Sequence, residues 1–368
     1  MKSINWKLLM LLSLTLILYK CPDLDHDAYV NRDFIGKSIN LKGTQILDSV
    51  YGAIELNVFD TILLVRLKSN NTLFKLFSIN NLSFISDLGV YGDGPDEWRA
   101  PRYCGQYCKT STSYLIWIND IFKNRFILVE LEGLNVKIIK EHQINPVLNM
   151  DRDLFYQDSN CLIGNQGMDA IQKARLCFYN PISDSIKYTW DLPEIEDVYK
   201  LTRNEVFDIF FDHLRMKSDG SLFVSAFERF DRIDKMDRDG QVIKSMLGNE
   251  RNGYSKSYIS DFKTNDGMKN LKYYYTWLQA TDKYIYALYL DQTDEYYNVA
   301  PKPVEIHVFD WELNSIYNLK INDYLICFAV DKNNSCVYGL DYYNEKILQY
   351  DISFMDTEYI IPNYDSIE

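Results

Sequence analysis

Residues 324–330 read Tyr-Leu-Ile-Cys-Phe-Ala-Val. The polar turn Asp331-Lys332-Asn333-Asn334 follows, then Ser-Cys-Val-Tyr-Gly-Leu, a second polar turn from Asp341 to Glu345, and Lys-Ile-Leu-Gln-Tyr-Asp up to residue 351. Short runs of β-branched and aromatic residues, each bounded by turn formers, predict three strands. Less regular copies recur upstream. A bulky apolar residue followed by a small or acidic turn residue stands at Phe77-Ser78, Val129-Glu130, Tyr179-Asn180, Met236-Asp237, Phe309-Asp310 and Tyr350-Asp351, at spacings of 52, 50, 57, 73 and 41 residues. All but the last are followed by another β-type run, such as Asn135-Val-Lys-Ile-Ile or Gln241-Val-Ile-Lys. Repeats of about 40–50 residues with four strands each mark propeller blades. Six copies predict an all-β, six-bladed β-propeller of four-stranded antiparallel blades. A β-sandwich with long loops is the alternative, and the regular recurrence weighs against it.

The blades fall at about 51–88, 101–144, 151–192, 208–247, 272–321 and 324–361, within a propeller spanning 38–368. The β-like segment Ser38 to Leu47 precedes blade one. It is expected to pair with the last blade and close the ring, because an open sheet edge is a liability.

The chain has 368 residues, 47% of them hydrophobic and 15% aromatic, including 29 tyrosines, so a substantial core is expected. A net charge of −13 argues against nucleic acid and against broad binding to anionic lipid heads. At the N-terminus, Lys2 and Lys7 precede an apolar run from Leu8 to Tyr19 that suits a signal peptide, placed at 1–20 and followed by a tether over 21–37. Cys21 directly after this run resembles the lipid-accepting cysteine of a bacterial lipobox, although Lys20 stands where that motif has a small residue. The simpler alternative is an ordinary secretory signal or a short membrane anchor with an incidental cysteine. The acidic stretch Pro22-Asp-Leu-Asp-His-Asp resembles the surface-export signal of Bacteroidota lipoproteins.

Between blades one and two lies Gly89-Val-Tyr-Gly-Asp-Gly-Pro-Asp-Glu-Trp-Arg-Ala-Pro101, whose three glycines and two prolines demand a specific backbone path. Gly92, Gly94, Pro95, Glu97 and Trp98 resemble the G-x-G-P-x-E-aromatic signature of the TolB-like six-bladed propeller lipoproteins of Bacteroidota. With Pro101, the stretch is also similar to the linker of NHL repeats. Phe328-Ala-Val, Val337-Tyr-Gly-Leu-Asp and Ile347-Leu-Gln-Tyr-Asp resemble that family's closing blade. The resemblance implies the propeller fold and a place in the cell envelope, lipid-anchored and at the outer membrane on its periplasmic or surface side. It does not imply a substrate.

Candidate ligand-binding residues follow from this layout. Asp93, Glu97, Arg99 and Trp98 of the linker either meet a ligand, with Trp98 stacking on a sugar or base, or form a buckle between blades; glycine and proline placement favours the buckle. Asp120, Asp341 and Glu345 are candidate channel carboxylates, with solvated turn residues as the plain alternative. Three long connections are expected on one face: Pro193 to Phe207, with helix-like spacing of Ile195, Val198, Leu201 and Val206; Asn249 to Asn270, with Tyr258; and Asp291 to Lys302, with Tyr296 and Tyr297. Long loops on a rigid scaffold are where binding usually lies, although these could simply cap the channel.

Catalytic and metal motifs are missing. The four histidines, His26, His142, His213 and His307, show no H-E-x-x-H spacing, and no G-x-S-x-G elbow occurs. Asp237-Arg-Asp-Gly240 lacks an oxygen ligand at Lys235 and a carboxylate at Met246, so it reads as a tight turn rather than a calcium loop. No cofactor is expected. Of the seven cysteines, Cys161 with Cys177 and Cys327 with Cys336 are the pairs able to bridge, with buried thiols the plainer state. The expectation is a monomeric, envelope-anchored module binding an envelope protein, a peptide or a glycan. A glycan hydrolase or lyase using channel carboxylates, and a scaffold subunit of an envelope complex, are the rivals.

Overall fold

The computed structural model describes residues 29–31, 36–47, 50–68, 71–133, 135–146, 153–165, 175–189, 198–248, 259, 262–263, 271–293 and 303–357. The predicted signal peptide and Cys21 lie outside them. Three short strands come first: β1 (Tyr29–Asn31), β2 (Lys37–Leu41) and β3 (Thr44–Leu47). Blade one follows as β4 (Ala53–Phe59), β5 (Ile62–Leu67), β6 (Thr72–Ser78) and β7 (Phe84–Val90). Blade two is β8 (Pro101–Lys109), β9 (Tyr114–Asp120), β10 (Arg125–Glu132) and β11 (Asn135–Gln143). Blade three is β12 (Leu154–Asp158), β13 (Cys161–Asn165), β14 (Leu176–Asn180) and β15 (Ser185–Tyr188). Blade four is β16 (Asp212–Met216), β17 (Leu222–Phe227), β18 (Arg232–Asp237) and β19 (Val242–Leu247). Blade five is β20 (Lys272–Ala280), β21 (Tyr284–Thr293), β22 (Val304–Asp310) and β23 (Ser315–Ile321). Blade six is β24 (Leu325–Val330), β25 (Cys336–Asp341) and β26 (Lys346–Asp351), completed by β3. The molecule is a six-bladed β-propeller.

The repeat signature marks one structural position. Phe77-Ser78, Tyr179-Asn180, Met236-Asp237, Phe309-Asp310 and Tyr350-Asp351 are the last two residues of a third strand. In blade two, Leu131-Glu132 hold that place and Val129-Glu130 lie two residues earlier.

Alternation along each strand builds the core. In blade three, Leu154, Leu162 and Cys177 face blade two, whereas Phe155, Ile163, Leu176 and Phe178 face blade four. The same period of two fills every blade interface with a buried cluster.

Ring closure differs in part from expectation. Thr44–Leu47 does pair with the last blade, with Gln45 opposite Leu348. Lys37–Leu41 instead lies parallel to β23 of blade five, and Tyr29–Asn31 lies parallel to β19 of blade four. The chain start thus covers the outer edges of three consecutive blades, and those edges would otherwise offer unpaired backbone groups.

Helix α1 (Arg203–Ile209) begins at a capping box. Thr202 accepts from the Glu205 N–H, and Glu205 accepts from the Thr202 N–H at 2.6 Å. Seven residues make a marginal helix in isolation. Its buried face, Val206, Ile209 and Phe210, packs on Phe227 and Phe230 and on Ile259 and Phe262 of the long 249–270 connection.

Candidate functional site

In every blade the second-to-third strand connection and the link to the next blade fall at the same end of the channel, here called the front. The first-to-second and third-to-fourth turns fall at the rear. The front therefore carries the 89–101 linker and α1, and the described strands on either side of the three long connections end or begin there.

The linker is a buckle. The Trp98 ring is buried, edge-on to Phe74 at 6.3 Å. A side chain on Gly89, at φ +74°, would come within 2.4 Å of that ring, and one on Gly92 within 2.0 Å of the Glu97 carboxylate. Glu97 turns back to accept the Gly94 N–H at 2.7 Å. Asp120, fully buried at the end of β9, accepts the Arg99 and Ala100 N–H groups at 3.1 and 3.0 Å and the Arg125 guanidinium at 3.3 Å. Arg125 also donates to the carbonyls of Pro95 and Glu97, and Lys123 to those of Gly94 and Glu97. The linker's backbone groups are thus spent on blade two. Of the four linker candidates Trp98 is buried and Glu97 is turned back on the loop, while Asp93 and Arg99 pair with each other at the surface and Arg99 lies over Tyr91. Their bond lowers the Asp93 carboxyl and raises Arg99, but so exposed a pair adds little stability.

Asp341, the counterpart of Asp120 at the end of the second strand of blade six, is buried and accepts the Asn344 N–H and side-chain amide at 3.0 and 2.7 Å. It closes a turn. Glu345 is an exposed turn residue at φ +50°. Tyr258, Tyr296 and Tyr297 lie outside the described residues, as does Cys21.

Behind the front lies a cavity of about 70 Å³, walled by residues that motif searching did not find. Glu55 is the third residue of β4, Arg102 the second of β8, and Asp153 immediately precedes β12. His213 and Arg215 come from β16, and Trp277 from β20. The legible signal was a charge set into the start of an apolar inner strand: Ala53-Ile-Glu-Leu, Pro101-Arg-Tyr-Cys and Asp153-Leu-Phe. Glu55 accepts from Arg66 at 2.7 Å and Asn57 at 2.9 Å. Asp153 accepts from Arg215 and the Leu214 N–H at 2.7 and 2.9 Å. His213 lies 3.3 Å from Glu228, and Arg215 stacks over Trp277, whose indole N–H donates to the Phe328 carbonyl.

Burial pushes the Glu55 carboxyl up, but Arg66, Arg102 and Asn57 outweigh it and leave the pKa below its ordinary value. Asp153 behaves alike, burial being overcome by Arg215, His213 and Arg102. Both are therefore carboxylates at neutral pH, and neither is held protonated as a general acid must be. Burial pushes the Cys104 thiol well up, away from a reactive thiolate.

The front connections also carry exposed aromatics: Tyr51, Tyr91, Phe122, Tyr199, Tyr342 and Tyr343, with Phe122 and Tyr199 each 76% exposed. Tyr343 meets Tyr324 edge-on at 5.9 Å. Among the described residues no cluster of three or more His, Cys, Asp and Glu side chains is arranged to hold a metal. Cys161 and Cys177 are free thiols, as are Cys327 and Cys336. Cys177 faces Gly164 and Cys327 faces Leu340, so each proposed pair is offset by three or four residues, roughly 10–13 Å and beyond bridging distance.

A family model described as TolB-like 6-blade propeller-like matches residues 33–333. No curated protein matches the chain. Among solved structures, a member of the DUF4221 family from Bacteroides vulgatus is similar at TM-score 0.53 and 13% identity, over 84% of this chain and 97% of its own. A protein of Bacteroides fragilis described as a candidate exported protein is similar at TM-score 0.50 and 11% identity, over 87% of this chain and 99% of its own. At these identities the likeness is one of fold.

Proposed function

The chain belongs to the TolB-like six-blade propeller family, and from that premise we propose that it is a cell-envelope binding module whose front face takes an envelope protein, a peptide or a glycan. The observation that carries this is the aromatic rim. Six exposed aromatic side chains stand in the front connections, on loops anchored to rigid blades. Tyrosine and phenylalanine at a surface bring a large apolar area at little conformational cost, which suits both sugar and protein surfaces. A binding role is favoured over hydrolysis because both cavity carboxylates are clamped by arginine in their ionised form. Buckle and turn contacts likewise occupy Asp120, Glu97 and Asp341.

The envelope location rests on the apolar run before Cys21 and on the family, and the Bacteroides fragilis relative, described as a candidate exported protein, agrees with it. Lipid attachment at Cys21 would hold the module at the outer membrane. Replacing Cys21 with serine should release the protein to the soluble envelope fraction; retention in the membrane fraction would remove the anchor from this account. The binding role is tested by incubating the mature chain with a pool of defined glycans and peptides and analysing retained and unretained material by mass spectrometry. Intact molecules held by the protein, and lost from a Tyr342→Ala/Tyr343→Ala variant, are expected. Shortened products would instead establish an enzyme.

A further inference from the structure

The front cavity contains a cation with no bond to make. Among the described residues of its wall, Arg102 alone is a charged side chain that forms no hydrogen bond. Its Nε is fully buried with no acceptor in reach. Glu55 and Asp153 both feel its charge, but their oxygens are engaged by Arg66 and Arg215. Asp212, also on the wall, is turned to Asn165 and Ser225. A guanidinium cannot escape this position by losing its proton. A buried donor left unpaired is costly, and where one persists beside a cavity, a water, an ion or a ligand group is the usual reason.

The charges on the wall say which group fits. Glu55, Asp153 and Asp212 of the wall are each paired with an arginine, Arg66, Arg215 and Arg175 in turn, which leaves Arg102 as the wall charge without a counter-ion. A dianion would be repelled by the three carboxylates, whereas a monoanion balances Arg102 alone. The planar fork of a guanidinium matches the two oxygens of a carboxylate. The remaining wall, with Tyr103, Leu154 and Phe211, is apolar enough to receive a short carbon chain.

We propose that this cavity is a binding site for a small monocarboxylate, whose two oxygens are received by Arg102. The site is separate from the aromatic rim and stands whether or not the front face binds a macromolecule.

Saturation-transfer NMR on the purified full-length chain tests it, with acetate as the probe and acetamide as its uncharged isostere. Acetate should show transfer and acetamide none, and propionate should compete where chloride at the same concentration does not. Arg102→Gln should weaken acetate at least tenfold. Arg99→Gln, which alters a surface arginine of the linker preceding β8, should leave it unchanged. Equal signals from acetate and acetamide, no acetate signal, or an Arg102→Gln variant that binds as well as the parent would each overturn the proposal. If Arg102→Gln does not fold, crystals of the unaltered chain grown with acetate decide the matter. Planar density bonded to the Arg102 guanidinium supports the site, and water alone in that place refutes it.

Discussion

The two ends of the channel differ in how fully their polar groups are paired and in how much aromatic surface they expose. At the rear, Asp60 of blade one receives Lys109 of blade two at 2.8 Å, Lys332 of blade six, and the hydroxyl of Tyr114 at 2.7 Å. Thr281 of blade five donates to Asn334 of blade six at 2.7 Å, and Ser218 of blade four donates to Asp282 of blade five. Those rear side chains bridge neighbouring blades. At the front, side chains of blade two close the linker, Arg215 of blade four reaches Asp153 of blade three, Arg102 is left unbonded, and six aromatics face solvent. Among the described residues, the rear turns expose one large apolar side chain, Ile182. On the function proposed above, the rear is a clasp and the front a receiving surface.

The contrast is broken most severely at the buckle, a front element that behaves like the rear. Asp120→Ala would leave Arg125 buried with its carboxylate removed and two linker N–H groups unpaired. A loss of about 3–5 kcal/mol is expected from a change of this type, read by denaturant unfolding. A loss under about 1 kcal/mol would mean that the linker is a loop awaiting a ligand rather than a buckle.

The rear clasp should matter less. Asp60 is buried, but the ammonium groups of Lys109 and Lys332 are more than half exposed. Asp60→Asn should therefore cost only about 1–2 kcal/mol at neutral pH. Hydrogen bonds from Lys109 and Lys332, against the opposing cost of burial, hold the Asp60 carboxyl well below the usual range. Its stabilisation is complete above the unfolded value, near ~3.9, and is lost as the pH falls through the lower folded one. The gap between parent and Asp60→Asn should close on acidification below that point. Front-face binding should not change, and a variant that folds yet loses ligand would join the two ends functionally.

A smaller effect is expected at α1. Thr202→Ala removes the cap and should cost about 1 kcal/mol, seen as faster hydrogen exchange at the Val206 and Phe210 amides. A bond from Lys263, followed by the Thr202 N–H, holds Glu205 down to about 2. Its support is present above the ordinary carboxylate range and disappears as the pH drops toward 2. Exchange at these amides that ignores pH over that interval would show the helix to be held by its apolar face alone.

The fold was legible because each blade repeats one local pattern. The pair of a bulky apolar residue and a small or acidic turn residue closes a third strand in five blades, and a period of two says which side chains enter the blade interfaces. The linker's glycines could be read as geometry, and Gly89 and Gly92 indeed leave no room for a side chain. The cavity was not legible. Glu55, Arg102 and Arg215 on inner strands and Asp153 just before one stand about fifty residues apart along the chain. Nothing local records which inner-strand residues share a depth in the channel. Asp120 and Asp341 show the converse. Both stand at the front ends of second strands, where a channel carboxylate was expected, but each has turned to bond backbone N–H groups. Position along a strand does not tell which way a short acidic side chain turns.

The smallest effect on stability is also the one that bears most directly on function. Tyr342 and Tyr343 are about half exposed, and Phe122 more so. None of them joins a buried cluster, so their replacement by alanine should change unfolding by less than about 0.5 kcal/mol. No buried packing accounts for three aromatic rings there, and each ring in water carries a hydration cost that a polar residue would avoid. If they are retained for contact with a partner, the triple variant should melt with the parent and bind at least tenfold more weakly. An unchanged affinity with an unchanged melt would strip the front of its role and leave the cavity as the one recognition feature of this end. A marked loss of stability would mean that the rings pack on the long connections, and the front would then be a second clasp.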